Sequence, residues 1–554
     1  MEARARVRLT AAFYPDCDDG AKAGLPCGRH NSMSSKPILQ AIRRLLGNFP
    51  AFSRQVIKVP LYDYQLQVTQ PIIDSILNAT GDEYLLIFPR QSGKNEVTAQ
   101  LLVYFLLLFQ KKGGNIVFAA TGDGAGRGAR RLDDRLDNAW TRGRAKKQNH
   151  PMRRTLGKAN IVFLSAHPLA ASRGETAHHA LFIDEVQDIN GPHLEAVFTP
   201  MRAANNATAV YLGTVKTTRD FLWQKKMELE RLTAADGKQR VFHVSPDEVI
   251  AENPAYAAFL DGQIRKHGLK HPIIQSEYFG VPIDAAGGLF DRRRQALMRG
   301  EHGRRREPEL GHIYAATIDI GGQDEAATDP VAQLANPGRD YTVVTVFDVI
   351  PDQLPVYHAV DVLVDHGSRH FESYPGMPKL ADKIDEFLAH WNVDHVIVDA
   401  SGVGQGLASH LTAQQGRDNV TAFSFATRGA KAALASRLLA IIETHRFKYW
   451  SDDAAQELSD GWWFWQQCTN CGYDLPPEGR FEKDLQWGVP ATLKIATSQG
   501  NLLVHDDRLL SAALIAEYDR LIADQKLSVG YTTSVILQSA DPYNPAAEDY
   551  PMYD

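Results

Sequence analysis

A short apolar run, YLLIF (84–88), leads through PRQSGKN (89–95) into VTAQLLVYFLLLF (97–109), and this succession constrains the fold more than any other feature of the chain. A strand apolar on both faces, a tight loop carrying Gly-Lys and an apolar stretch too long for a strand read as the strand–loop–helix unit of a parallel α/β sheet. In such a unit successive backbone N–H groups and the helix N-terminus converge on one point, where they cradle phosphate oxygens. Gln91, Ser92 and Gly93 supply the turn, and Lys94 reaches the terminal phosphates. Asn95 stands where such loops carry a magnesium-binding hydroxyl, and its amide oxygen can still coordinate a metal. Phe88 replaces the usual first glycine, so the loop alone does not separate nucleotide binding from an ordinary turn.

A second segment adds weight. HHALFIDEVQD (178–188) is an apolar strand ending in Asp184-Glu185. In phosphate-loop ATPases an Asp so placed holds magnesium and a Glu acts on the attacking water. Another strand-like run, NIVFAAT (115–121), separates the two motifs. Ahead of them, LYDYQ (61–65) offers Gln65 where helicase-like ATPases read adenine. Behind them, VYLGTV (210–215) ends on Gly213-Thr214, where such motors sense the γ-phosphate and relay the signal.

The C-terminal half follows a different pattern. HIYAATIDIGGQD (312–324) carries Asp319 at a strand end, and DYTVVTVFDVI and LPVYHAVDVLV read as two further strands of a meander. HVIVD ends in Asp399 and is followed by ASGVGQGLASHL, a Gly-rich turn into a helix. VHDDRLLSAALIAEYDRLI sets Asp506 and Asp507 at the start of an amphipathic helix. Acids at strand ends and helix caps are common, but this order of elements is that of an RNase H-like fold. Three carboxylates from two strands and one helix start suit a pair of hard divalent cations about 4 Å apart, magnesium or manganese. Asp506 is the alternative to Asp507 as third ligand.

Size and charge set the outer bounds. With 554 residues the chain exceeds what one core supports, and two domains are expected. Four cysteines are too few for a disulfide framework, and no secretory leader opens the sequence, which points to the cytoplasm. The apolar run 101–109 is about half the length that spans a bilayer and reads as a buried helix, with no membrane role. Net charge is −6, yet basic residues cluster twice. Residues 127–158 hold eleven Lys/Arg against three Asp, which suits a solvated face or DNA contact equally. Residues 291–306 hold seven Arg against two acids, a basic linker that could also touch DNA.

Taken together, PRQSGKN, SRGETAHHALFIDE, LGT, TIDIGG, VDASGVGQGL and HDDRLLSAALIAE resemble the large terminase subunit of tailed bacteriophages over residues 50–525. The resemblance implies a RecA/ASCE-like P-loop ATPase domain (50–290), a basic linker (291–311) and an RNase H-like α/β nuclease domain (312–525). A leader (1–49) and an acidic, Pro-containing tail (526–554) flank them. It implies that Lys94 binds ATP phosphates, Asp184 holds magnesium, Glu185 is the catalytic carboxylate, Arg90 stabilises developing charge and Thr214 couples hydrolysis to movement. It further implies that Asp319, Asp399 and Asp507 hold the nuclease metals. Implied partners are double-stranded DNA, the portal protein of a procapsid, a small terminase subunit and further copies in a ring, all in the host cell cytoplasm.

Rival readings are a helicase-like or repair ATPase-nuclease, which would need a second motor domain, and a prophage remnant that binds DNA without turnover. In WWFWQQCTNCGYDLPPEG (462–479), Cys468 and Cys471 have half of a zinc-site spacing and read better as a reduced pair in a hairpin. The aromatic residues there suit core packing more than stacking on bases.

Overall fold

In the computed structural model the described residues run from 35 to 534, apart from 171–173, 285, 322–340, 367, 374–376, 403, 427 and 477–478. The chain divides into two compact units. The first takes residues up to Arg265 with Leu269–Ala285 and Pro476–Arg480; the second takes Lys266–Gly268, Ala286–Leu475 and the chain from Phe481 on.

The first unit is built on one sheet of β1 (Glu83–Ile87), β2 (Gly114–Ala120), β3 (Lys146–Asn149), β4 (Met152–Leu156), β5 (Ala159–Ser165), β6 (Ala180–Asp184), β7 (Thr208–Gly213) and β8 (Val241–His243). Their order is β3-β4-β5-β2-β6-β7-β1-β8. The strands β5, β2, β6, β7, β1 and β8 run parallel, while β3 and β4 form an antiparallel edge. Every residue of β6 and β7 is buried, as the continuous apolar runs demand of strands covered on both faces. Parallel strands end on one edge of the sheet, so the loops after β1, β6 and β7 meet there. Because β7 lies between β1 and β6, Thr214 falls between the phosphate-loop candidate and the Asp184-Glu185 pair.

Two helices near the start of this unit matter for its boundaries. Helix α1 (Ser35–Leu46) precedes α2 (Lys94–Phe109), and α2 is buried along nearly its whole length, as an all-round apolar helix must be. Tyr104 of α2 donates to the Leu46 carbonyl at 2.6 Å and packs edge-on against Phe49 and Phe52 at 5.1 and 5.2 Å. The expected leader of 1–49 therefore ends earlier: Leu46 and Phe49 are core residues. The internal Met33 and the rest of that segment lie outside the described residues.

The second unit opens with β9 (Ala286–Gly288) and α3 (Arg292–Met298). Its main sheet comprises β10 (Tyr314–Asp319), β11 (Thr342–Ile350), β12 (Val356–Asp365), β13 (His395–Asp399), β14 (Val420–Phe423) and β15 (Phe447–Tyr449), in the order β14-β13-β10-β11-β12-β15. Among these, β11 is antiparallel to both its neighbours, and β10, β13 and β14 are mutually parallel. A three-strand meander extended by parallel strands beside its first member is the RNase H-like sheet expected from the sequence. Helices α4 (Leu380–His390), α5 (Gly404–Gln415), α6 (Arg428–Glu443), α7 (Asp460–Asn470), α8 (Asp507–Ala513) and α9 (Ile515–Ser534) accompany it. Since α9 runs to Ser534, the tail expected from 526 begins later, and residues beyond 534 are outside the described set.

The stretch expected to be a basic linker is folded into this unit. Asp291 caps α3 by accepting from the Arg294 N–H at 2.7 Å, and Arg293 and Arg294 grip Glu443 at 2.5 and 3.0 Å. Arg304 joins Asp361 at 2.7 Å to Asp460 at 2.8 Å, and Arg305 reaches Asp348 at 2.8 Å. The acids that neutralise these arginines come from 40 to 160 residues further on, roughly, beyond the reach of any local charge count. Part of the first basic cluster is likewise paired. Arg154 pairs with Asp133 at 2.7 Å, Arg135 with Glu96 at 2.7 Å, Arg130 with Asp123 at 2.8 Å and Arg153 with Glu175 at 3.2 Å.

Two smaller expectations also meet the structure here. Phe464 and Trp465 are buried, and Phe464 stacks on Tyr449 at 3.6 Å, so these rings serve the core. Cys468 and Cys471 are free thiols at the end of α7 and its exit into a strand, not in a hairpin. Burial pushes both thiols up, Cys471 to about 12, with the Asp506 charge adding to the effect. Neutral thiols are poor zinc ligands, and no metal-holding group of three or more His, Cys, Asp or Glu occurs among the described residues. No described helix is long and apolar enough to cross a membrane.

Candidate active sites

The phosphate-loop candidate is braced from within its own unit. The Ser92 carbonyl accepts from Tyr64 Oη at 3.0 Å and Gln65 Nε2 at 3.1 Å, while Ser92 Oγ donates to the Pro89 carbonyl at 2.6 Å. Gly93 has φ +87°, and a Cβ there would fall 2.2 Å from Gln65 Nε2. Glycine is required on both counts. Gln65 Oε1 accepts from the Tyr62 N–H at 3.0 Å. One end of the Gln65 amide thus holds the loop and the other caps its own helical turn.

The next residues diverge in direction. Arg90 has an exposed side chain and bonds Glu277 Oε2 at 2.5 Å, with its backbone N–H on the Glu277 carbonyl at 2.9 Å. Gln91 takes φ +63°, the left-handed turn that reverses the chain, and Asn95 is exposed in the first turn of α2. Lys94 is buried at 9% exposure.

Lys94 meets the carboxylates across the sheet edge. Its Nζ stands 3.1 Å from Glu185 Oε1 and 3.4 Å from Asp184 Oδ1. Burial disfavours the ammonium, but the two carboxylate charges outweigh it and raise the Lys94 pKa. Burial likewise opposes ionisation of Glu185, yet Lys94, the Gln187 amide and Lys216 hold its carboxyl below the usual range. For Asp184 burial prevails and its pKa rises. Asp184 Oδ1 is buried without a hydrogen-bond partner. A buried carboxylate oxygen beside a phosphate loop, held only by the Lys94 ion pair among the described residues, suits a hard cation such as magnesium.

Gln187 was not singled out in the sequence. It is 2% exposed; its Nε2 donates to Glu185 Oε2 at 2.6 Å and its Oε1 accepts from the Thr214 N–H at 3.2 Å. The signal available was a polar residue two positions after a strand-ending Asp-Glu, which alone is unremarkable. Thr214 enters the site through its backbone.

In the second unit the topology brings the three acids to one end of the sheet. Ile318 pairs with Val398 in register, so Asp319 and Asp399 end adjacent strands side by side. Asp507 Oδ2 accepts from the N–H of Tyr341 at 3.0 Å, and Tyr341 immediately precedes the β11 strand whose Val343 faces Asp319. Ser511 fixes α8 on the sheet, donating to the Thr317 carbonyl at 3.0 Å and lying 2.9 Å from Thr345 Oγ1. All three acids are buried. Asp506 sits one residue before the helix, more open, 3.9 Å from Lys431 Nζ. Burial raises the Asp399 pKa, partly offset by the Ser401 hydroxyl and N–H. Oxygen-only donors on two strand ends and a helix start suit a hard cation in kind, although the described residues do not stand at metal-holding distances.

The fold and these sites define a class: a P-loop ATPase unit of RecA type followed by an RNase H-like α/β unit. No family model matches the sequence, and no curated protein matches it. Among solved structures, the chain is similar to the large terminase of a thermophilic bacteriophage at 13% identity and a TM-score of 0.44, over 83% of this chain and 99% of that one. It is similar to the HK97 bacteriophage large terminase at 12% identity and a TM-score of 0.35, over 85% and 99%. The large terminase nuclease of the thermophilic phage G20c with bound magnesium matches at 17% identity and a TM-score of 0.29, over 42% of this chain and 96% of that one.

Proposed function

We propose that this chain is the large subunit of a viral DNA-packaging terminase, which hydrolyses ATP to drive double-stranded DNA into a procapsid and cuts concatemeric DNA. The observation that carries the reading is the presence, in one chain, of the Lys94–Asp184–Glu185 cluster on a parallel sheet edge and of Asp319 and Asp399 on adjacent strand ends. A repair or helicase-like ATPase would need a second motor sheet, and the second unit has an antiparallel meander instead.

In the first unit, Gln91 to Asn95 wrap the ATP phosphates, and Lys94 exchanges its carboxylate partners for phosphate oxygens. Asp184, through the Oδ1 that Lys94 now faces, would hold magnesium, with Asn95 nearby in sequence. Bound magnesium supplies charge neutralisation between the terminal phosphates. Glu185, kept ionised by its surroundings, orients the attacking water. Arg90 stabilises developing charge once it leaves Glu277, and Thr214 carries the change onward.

In the second unit, Asp319, Asp399 and either Asp507 or Asp506 would hold the nuclease cations, magnesium or manganese. Bound cations supply an activated water and leaving-group stabilisation at the phosphodiester. The reading extends to a ring of copies on a portal protein, with a small terminase subunit delivering DNA, in the host cytoplasm.

The test is phosphate release by the full-length chain with and without double-stranded DNA. Stimulated hydrolysis that disappears in Glu185→Gln supports the motor. Hydrolysis that persists in Glu185→Gln overturns the ATP-site assignment, and hydrolysis indifferent to DNA favours an ATPase of another kind.

A further inference from the structure

Each oxygen of the Glu185 carboxylate has its own donor: Oε1 faces Lys94 Nζ at 3.1 Å and Oε2 accepts from Gln187 Nε2 at 2.6 Å. The other end of the same planar amide accepts from the Thr214 N–H at 3.2 Å, at the end of β7. Glu185 itself takes φ +51°, a left-handed turn into the short helical turn Val186–Asp188 that carries Gln187. Side chains rarely accept this backbone without cause, and the strain is stored where the two strand ends meet. Gly213 shows how tight the approach is. A Cβ at that position would fall 2.3 Å from Gln187 Oε1 and 2.4 Å from Leu222 Cδ1. An ion pair from Lys216 to Asp188 ties the far side of the same turn to the segment after β7.

We propose that Gln187 is a positioning residue that fixes Glu185 for hydrolysis and links it mechanically to the end of β7. The inference rests on the ATPase reading above. When Lys94 turns from Glu185 to the nucleotide phosphates, Oε1 loses its donor while Gln187 keeps Oε2 in place. Oε1 is then the oxygen presented to water, and rotation of the carboxylate is prevented by the amide. Because the amide is rigid, any displacement of Glu185 on turnover pulls on the Thr214 N–H, and a shift of β7 acts back on Glu185. Buried donors on both sides make the link costly to break.

The experiment uses the full-length chain with ATP, magnesium and double-stranded DNA. Gln187→Met keeps the volume and removes both hydrogen bonds. Expected is a fall in kcat of roughly ten- to hundredfold, the loss of one charge-assisted hydrogen bond in the transition state. The KM for ATP should stay within about threefold, since the phosphate contacts are untouched. Gly213→Ala, which crowds Gln187, should lower kcat in the wild-type background and add little to Gln187→Met. Wild-type kcat in a folded Gln187→Met protein, a loss expressed only in KM, or full additivity with Gly213→Ala overturns the proposal. If melting shows that Gln187→Met is unfolded, Gln187→Glu serves instead. It keeps the acceptor for Thr214 but opposes Glu185 with like charge, and wild-type turnover there overturns the proposal equally. Glu185→Gln separates the two levels. If it remains active, the ATPase reading fails; if it is inactive while Gln187→Met turns over normally, only the role of Gln187 fails.

Discussion

Each unit gathers buried acids at the end of its sheet, and the two clusters are balanced differently. At the edge of the first sheet a buried lysine faces Asp184 and Glu185, so the protein itself supplies part of the counter-charge. At the end of the second sheet, among the described residues, the Ser401 hydroxyl and N–H offset the burial of Asp399. A cluster closed by its own cation can assemble before ligand arrives and must then be opened by it. Oxygen-only donors on neighbouring strand ends, with no buried lysine facing Asp399 among its described contacts, suit a cation from outside. The first unit is therefore expected to be sensitive to loss of a residue, and the second to loss of a metal.

The largest effect should come from Lys94→Ala. It removes the phosphate contact and also strands the buried Asp184 and the partly exposed Glu185. Turnover should fall by about 10³-fold or more, and the first unit should lose about 3–5 kcal/mol, the usual result of deleting one partner of a buried pair. Phosphate release and the melting midpoint measure the two separately. A variant that loses turnover with unchanged stability would show that Lys94 does not hold the cluster together.

The mirror experiment is Asp319→Asn or Asp399→Asn. Plasmid cleavage with magnesium or manganese should drop to background while ATP hydrolysis is spared, because the sites share no residue. An amide in place of a buried carboxylate avoids the cost of burying a charge, so stability without metal should hold or rise slightly. Cleavage that survives EDTA, or survives Asp319→Asn, would remove the contrast between the clusters.

The sequence carried the elements that chemistry marks. Asp184, Glu185, Asp319 and Asp399 stood out because an apolar strand ends on or just before each, and Lys94 because a Gly-turn carries it into an apolar helix. What it hid were partners distant in the chain. The arginines at 293–305 looked like a linker because Glu443, Asp348, Asp361 and Asp460 are far along the sequence. That Gln65 also braces the phosphate loop was hidden because nothing local shows that the Ser92 carbonyl takes its amide. Gln187 was invisible since its meaning depends on Gly213 lacking a side chain.

That lesson yields a test within the second unit. Arg304, 13% exposed in its side chain, bridges Asp361 and Asp460, whereas Arg306 is 68% exposed and 3.4 Å from Asp361. Arg304→Ala should destabilise the unit by about 3–5 kcal/mol, and Arg306→Ala by under about 1 kcal/mol. If the segment were a DNA-binding linker, both would instead flatten the salt dependence of DNA binding equally.

The smallest effect, and the most selective for the first unit, concerns His179. Its ring stacks on Phe109 at 3.7 Å and its Nε2 lies 2.8 Å from the Gly113 carbonyl, a contact that places the proton of a neutral imidazole on Nε2. Burial lowers its pKa from 6.5 to about 4, against a smaller upward pull from that carbonyl. The unfolded chain therefore binds a proton that the folded one refuses between these values. The stability this neutral ring contributes is fully present above pH 6.5 and falls away as pH drops towards 4, by about 3 kcal/mol in all. Between pH 7.5 and 5.5 the loss amounts to about 1.3 kcal/mol. His179→Gln retains an N–H for the Gly113 carbonyl and has nothing to titrate. The acid-induced fall in the melting midpoint of the first unit should therefore be smaller in the variant by that amount, while other titrating groups cancel in the comparison. An equal fall in both proteins would mean that His179 is protonated in the folded state, and that the stacked ring is not sealed from water as its burial implies.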